Sequence, residues 1–315
     1  MLARMLRVSA GLELLAAALL AYALMQFGMS AAPAVLLALL LPVAVHAVPL
    51  AIEFVTGAIV DRRPVARLGP WALARVWLSE TARALRAFNI DQPWRADFAE
   101  PAIVPDSARP AVLFIHGYMC NRATWRPWLI DHGLARRWNC ATVNLEPVYA
   151  PVDRYTELIH AAVERLLRAT GAERITLVCH SMGGLVARAY LRAHGHHSVA
   201  RVVTIATPHH GTLFARFGKG HNTRQMQLAC EFVRRLAESD EPVEFVCFAS
   251  QHDNLIVPRD NQVLECAEAI WFERIGHLAM TDNDQVLNRL IEVVERPLPE
   301  AHAQGTREKA AAASS

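Results

Sequence analysis

The hydrophobic pattern changes character along the chain. From Gly11 to Met29 the only charged residue is Glu13, and Ala31 to Ile52 carries none; apolar residues resume after Glu53 and continue through Val60. A membrane-spanning helix needs about 20 apolar residues. Both blocks are long enough, so they predict a transmembrane hairpin with a turn near Ser30 to Pro33. Pro42 and Pro49 are expected to kink the second helix, which a bilayer tolerates. A signal peptide would have a core of about 7–15 apolar residues followed by a small-residue cleavage site. A second, longer block that follows at once favours the hairpin over that reading, and over a pair of soluble helices.

After the hairpin the pattern becomes amphipathic. In "WALARVWLSETARALRAFNIDQPW", Leu73, Trp77, Ala84 and Phe88 fall near one helical face, with Arg75, Arg83 and Arg86 elsewhere. Such a helix suits either a membrane interface or packing on a globular domain. Gln92 to Pro110 carries Pro93, Pro101, Pro105 and Pro110 and reads as an extended linker.

From Ala111 onward short apolar runs alternate with amphipathic segments. Strands are predicted at Ala111–His116, Cys140–Leu145, Ile175–His180, Arg201–Thr207, Val243–Ser250 and Ala269–Ile275. Helices are predicted within Asn121–Trp138 and at Tyr155–Thr170, Met182–His194 and Asn283–Glu295. Continuous apolar strands separated by helices imply a mostly parallel sheet covered on both faces. The organisation expected is a hairpin over 1–63, a helix and linker over 64–109, a catalytic domain over 110–297 and a disordered tail over 298–315.

Composition narrows the classes. The chain has 315 residues and a net charge of +2, which gives no global reason for nucleic-acid binding. Lys219 and Lys309 are the only lysines, so arginine carries the positive charge. Arg4 and Arg7 precede the first apolar block and Arg62, Arg63 and Arg67 follow the second, while the turn carries no Lys or Arg. The positive-inside rule then places both flanks, and the rest of the chain, in the cytoplasm, with a bacterial inner membrane as the expected location. The six cysteines form no C-x-x-C pair, which removes zinc-ribbon and thioredoxin-like readings. His194 to His197 and His209-His210 lack helical i, i+4 spacing and an evident carboxylate partner, so they read as solvated loops rather than a metal site. No metal and no cofactor is expected.

One polar pair interrupts an apolar run where chemistry would sit. In "ITLVCHSMGGLVARAYL", His180-Ser181 stands between a predicted strand and a helix, at the carboxyl end of a parallel strand where ligands gather. A tight strand-to-helix turn crowds the residues two before and two after the serine, so both must be small, as in G-x-S-x-G. Here they are Cys179 and Gly183, with Gly184 next; cysteine is bulkier than glycine, so a slightly looser turn is expected. A serine needs a base to take its proton, and in this architecture the acid and then the histidine follow on loops after later strands. Asp253 in "QHDNLIVP" and His277 in "GHLAM" meet that order. Asp240 precedes its strand and Asp260 lies further from the strand end, so Asp253 is preferred; His252 is expected to point elsewhere. Two backbone N–H groups would form the oxyanion hole: that of Met182, and that of Tyr118 after the strand-ending His116-Gly117.

Taken together, "FIHGYMCNRATW", "LVCHSMGGLVARAYL", "TIATPHHGT", "SQHDNLIVP" and "IGHLAM" resemble the α/β-hydrolase superfamily, in particular its bacterial triacylglycerol-lipase-like and esterase-like members. The resemblance covers roughly Arg109 to Val294 and not the hairpin. It implies Ser181 as nucleophile, His277 as base, Asp253 as orienting acid and Tyr118 with Met182 at the oxyanion hole, supported by His116, Gly117, His180 and Gly183. In lipase-like relatives the loop "ATPHHGT" lines the acyl pocket and leads into a lid. Leu213, Phe214, Phe217, Met226 and Leu228 are the residues that would form an apolar mobile cap here, or else a fixed helical insertion. Some relatives carry a structural calcium, whose ligands have no evident counterpart in this sequence. The expected function is a membrane-anchored hydrolase of lipid or acyl esters acting through an acyl-enzyme. The alternatives are an acyltransferase with the same triad, or a non-catalytic membrane scaffold.

Overall fold

The computed structural model describes residues 1–61, 68–105, 108–238 and 243–297. Arg62, Arg63 and Arg67, on which the orientation argument leans, lie outside the described residues, as do Asp240 and the tail over 298–315.

Six strands form one sheet: β1 (Ala111–Ile115), β2 (Asn139–Thr142), β3 (Ile175–His180), β4 (Val199–Ile205), β5 (Glu244–Ser250) and β6 (Glu268–Phe272). Their order is β2-β1-β3-β4-β5-β6 and every pairing is parallel. The apolar runs are continuous because both faces are covered. Leu113, Ile115, Leu177 and Cys179 pack on one side, Val112, Phe114, Val178 and Val203 on the other. The first core is closed by α7 (Thr156–Thr170) and α8 (Met182–His194). The second is closed by α11 (Asp284–Glu295) and by Trp125, Trp128 and Trp138, all fully buried. Within Asn121–Trp138 the chain forms short 3-10 and π turns and the brief α6 (Leu134–Arg137) rather than one helix.

The N-terminal part consists of α1 (Leu2–Gln26), α2 (Ala31–Ala38), α3 (Leu40–Val60) and α4 (Pro70–Arg86), followed by a π-helical turn and α5 (Gln92–Trp94). The hairpin turn is centred on Gly28, whose φ of +91° suits glycine, and Pro33 already lies inside α2. The second apolar block breaks at Leu39. Pro42 explains the place: it has no N–H to give the carbonyl of Ala38, and its ring crowds that carbonyl. Pro49 stays inside α3.

Helix α4 packs on the globular domain, with Val76, Glu80, Thr81, Arg83 and Ala84 buried. Arg83, read from periodicity as an outer residue, is buried and paired with Asp91 at 3.2 Å. Gln92 and Pro93 do not start an extended linker. They are buried in α5, where the Gln92 side-chain oxygen accepts the Asn121 N–H at 2.9 Å.

Candidate active site

The site is assembled at the carboxyl edge of the sheet. Ser181 follows β3 directly and caps α8 with φ +53° and ψ −125°, a strained conformation for a residue with a Cβ. Its main chain is pinned on three sides. Its N–H donates to Ile205 O at 2.8 Å, and its carbonyl accepts from Gly184 N at 3.0 Å and from Thr207 Oγ1 at 2.9 Å. The two glycines make the elbow possible. A Cβ on Gly183 would lie 2.5 Å from Ile115 O, and one on Gly184 would lie 2.2 Å from Thr207 Oγ1. The Cys179 side chain is wholly buried in the core beneath the turn.

Asp253 and His277 meet as their loops require. His277 Nδ1 lies 2.9 Å from Asp253 Oδ2, and both side chains are buried. The other carboxylate oxygen, Oδ1, accepts the N–H groups of Leu255 and Ile256, each at 2.8 Å. Asp253 is therefore fixed as an acceptor, and His277 donates to it through Nδ1. This leaves Nε2 as the basic nitrogen. Ser181 and His277 line the same cavity. His252 is turned away, its Nδ1 accepting the N–H of Arg274 at 2.9 Å.

The electrostatics single out one histidine. Burial opposes charging of His277, yet the Asp253 carboxylate, its hydrogen bond and the charge of Glu80 outweigh it and raise the imidazole above its ordinary range. His116 and His180 go the other way. Burial lowers His116 to about 4, and burial together with the nearby His277 holds His180 well below the usual range. These two are structural. His116 Nε2 accepts the Leu145 N–H at 3.0 Å and its Nδ1 donates to Gly117 O at 2.9 Å. His180 Nε2 donates to the His277 carbonyl at 3.2 Å. Gly117 lies against Ser181, where a Cβ would come within 2.9 Å of Ser181 Cβ. Tyr118 lines the cavity, and its hydroxyl is held by Lys219 O at 2.9 Å. Met182 opens α8 with its side chain in the core.

The cavity has a volume of about 400 Å³, within the range of small-molecule sites. Its walls are largely apolar; besides residues of α4, of the turn after it and of the loops after β1, β5 and β6, they come from three further parts of the chain. The loop after β4 and the short 3-10 turn Leu213–Phe217 give Phe214 and Phe217, and Met226 follows α9 (His221–Gln225). Leu213 and Leu228 do not line it, and α10 (Glu231–Ala237) packs on the domain through Phe232, Val233 and Leu236. The third wall is α3, through Val45, His46, Pro49, Leu50 and Glu53.

That wall, and the groups behind Asp253 and His277, belong to no motif. Glu80 of α4 is fully buried and accepts the N–H groups of Leu278 at 2.6 Å and Ala279 at 3.0 Å, next to His277. Asn254 Oδ1 accepts the His277 N–H at 3.1 Å, while its amide donates to Glu53 of α3 at 2.6 Å. Arg259 Nε donates to Asp253 O at 3.0 Å and pairs with Asp61 at 3.4 Å. The only sequence signal for these residues is a carboxylate standing among apolar neighbours, as Glu53 does.

The histidine-rich spots differ from expectation in two respects, a carboxylate partner at His194 and the burial of His209. His194 does have a carboxylate neighbour, Glu157, at 3.1 Å, and it stacks on His160. His209 is buried and meets Thr204 Oγ1 at 3.0 Å, and His210 Nε2 donates to Val263 O at 3.2 Å. No cluster of three or more metal-ligating side chains occurs among the described residues.

Comparison with known proteins agrees with this architecture. Residues 110–230 match the family model described as the alpha/beta hydrolase fold. The mature form of the Bacillus licheniformis lipase BlEst2 superposes with a TM-score of 0.55 at 17% identity, over 62% of this chain and 97% of that one. Aspergillus fumigatus lipase B superposes at 0.51 with 14% identity, over 62% of this chain and 55% of that one. At such identities the likeness is one of fold. The chain is thus a protein of the α/β-hydrolase fold. Among the relatives it resembles in sequence are lipases. Triacylglycerol lipases of Pseudarthrobacter phenanthrenivorans and Burkholderia plantarii are each 48% identical over 61 residues, 19% of this chain. That stretch is 19% of the first relative and 17% of the second, far less than the length of either.

Proposed function

We propose that this chain is a membrane-anchored serine hydrolase of lipid or acyl esters. Ser181 is the nucleophile, His277 the general base and Asp253 the residue that fixes the imidazole tautomer. Ser181 Oγ attacks the ester carbonyl and His277 Nε2 takes its proton. The N–H groups of Met182 and Tyr118 stabilise the oxyanion, helped by the N-terminal dipole of α8. His277 then protonates the leaving alcohol, and water activated by the same imidazole releases the acid from the acyl-enzyme.

The observation that carries this reading is the 2.9 Å contact of His277 with Asp253 at the wall of a cavity shared with a strained Ser181. The apolar lining supports an acyl chain as the buried part of the substrate. The two apolar N-terminal helices support anchoring. They are long and apolar enough to cross a membrane, and only 11% and 17% of their most apolar windows are buried in the protein. The hairpin, the α4–α5 connection and the sheet domain act as one unit in this scheme.

Labelling with a fluorophosphonate tests the assignment. The wild-type chain should be labelled and Ser181→Ala should not. Persistent labelling of that variant rejects the nucleophile. A panel of p-nitrophenyl esters of rising acyl length then reads the pocket.

A further inference from the structure

The hairpin is long enough to suggest two crossings, but the domain claims part of it. Near the domain, Arg7 of α1 donates to Pro93 O at 2.7 Å and lies over the Trp94 ring. Further along, Asn89 touches Glu13 of α1 at 3.4 Å and His46 of α3 at 3.3 Å. His46 also stacks on Phe88, and Trp77 donates to Ala47 O at 2.8 Å. These contacts make a polar and aromatic collar around the base of the hairpin. Beyond it α3 stays against the domain, with Leu50, Phe54 and Gly57 buried and Asp61 paired with Arg259.

Only Leu14 to Val45 stands free of the collar, and it contains no Asp, Glu, Lys, Arg or His. Within it Ala17, Ala21 and Ala38 pack the two legs together. Ala34 is buried as well, and most of the large apolar side chains face outward, including Leu15, Leu19, Tyr22, Phe27, Leu36 and Leu40, each more than half exposed. At about 1.5 Å per residue the first leg, ending at Gln26, rises about 20 Å, and the second, starting at Ala31, about 22 Å. A hydrocarbon core is about 30 Å thick. The free legs are too short to cross it and long enough to pass the middle.

We propose that the hairpin enters the bilayer from one side and returns, with the Phe27–Ser30 turn left inside the hydrocarbon. The collar then sits at headgroup level. The cavity that holds Ser181 reaches that collar, since Val45, His46 and Phe88 belong to its lining. Resting on the ester-hydrolase reading above, this makes the substrate a lipid that slides from the penetrated leaflet along α3 into the cavity. Both flanks of the hairpin lie on the same side, as the arginine pattern requires, without any crossing.

The test uses the full-length chain in sealed membrane vesicles of both orientations and a membrane-impermeant maleimide. Cys266 is exposed on the domain and reports the domain side. Phe27→Cys and Ser30→Cys, each in a Cys266→Ser background, report the turn. The expected result is complete loss of turn labelling in vesicles of either orientation, regained in detergent, while native Cys266 is labelled from one side. Labelling of the turn from the side opposite Cys266 means that the hairpin crosses, and overturns the proposal. Labelling from the Cys266 side without detergent means no insertion, and overturns membrane anchoring as well. Far-UV circular dichroism of each variant, compared with the wild type, shows that the fold is kept, and fluorophosphonate labelling is read in parallel. An unlabelled wild type would instead refute the hydrolase reading and leave the depth result standing.

Discussion

At the scale of single residues, the proposed site depends on groups that hold Asp253 and His277 as much as on those two residues. Both oxygens of Glu80 accept N–H bonds from the residues after His277, and a Cβ on Gly276 would come within 2.4 Å of Glu80 Oε2. Burial raises this carboxyl above the ordinary range, while the two N–H donors and the charge of His277 pull it back. Glu80→Gln replaces one acceptor by a donor that faces an N–H. Small misplacements of a base are costly, so kcat should fall by about 10- to 100-fold with KM little changed, read from steady-state kinetics on a short ester. The same charge helps raise His277, and that shift fixes the sign of the pH dependence. A raised imidazole stabilises the fold fully below its ordinary value of 6.5, and that contribution is lost as pH rises through the higher folded value. Catalysis needs the neutral form, so kcat/KM should rise over the same window with its acid limb above 6.5. Asp253→Asn should lower turnover by about 10⁴-fold, the scale seen when such an acid is neutralised. Near-normal turnover would move the role to Asp260.

At the scale of elements, two tight approaches and one wall matter. Helix α8 begins so close to β1 that Gly183→Ala would press a methyl group against Ile115 O and His116 O. Main-chain atoms cannot rotate away, so a loss of about 1–3 kcal/mol is expected in urea unfolding. At the opposite edge of the sheet, Arg201 of β4 is fully buried, pairs with Glu244 at 2.7 Å and donates to Val293 O at the end of α11. Arg201→Ala would strand those acceptors and should cost about 3–5 kcal/mol by the same measurement. The wall is α3. Leu50 is buried at the cavity, so Leu50→Trp should fill the acyl path. Hydrolysis of a long-chain p-nitrophenyl ester should then fall by more than about tenfold relative to the acetate, as expected when a pocket loses room for several methylenes.

At the scale of the whole molecule, the hairpin and the hydrolase domain are not separable parts joined by a tether. Glu53 reaches Asn254, Asp61 reaches Arg259 and Glu80 reaches Leu278, so these three carboxylates grip the two connections that carry Asp253 and His277. Phe54 and Leu50 are buried against the same surface. The apolar helix α3 and the loops of Asp253 and His277 are thereby mechanically linked, and displacing one displaces the other. Detergents that pull the hairpin from the domain should inactivate the protein before the sheet unfolds, which near-UV and far-UV circular dichroism recorded beside activity would separate.

Local pattern settled a good deal. Short continuous apolar runs rich in Val and Ile suit strands covered on both faces, and their alternation with helices points to a parallel sheet. A serine between a strand and two glycines, followed by Asp253 and His277 on later loops, follows from the sterics and chain order of that sheet. The break at Leu39 is likewise written locally, in Pro42. Periodicity could not say which side of α4 faces the domain, because Arg83 and Glu80 are charged and yet buried, each paid for by partners distant in the chain. Nor could it make α3 a wall of the cavity. An apolar helix reads the same whether lipid or protein covers it, and only the fold, by bringing residues some 200 positions apart into contact, decides which side each face meets.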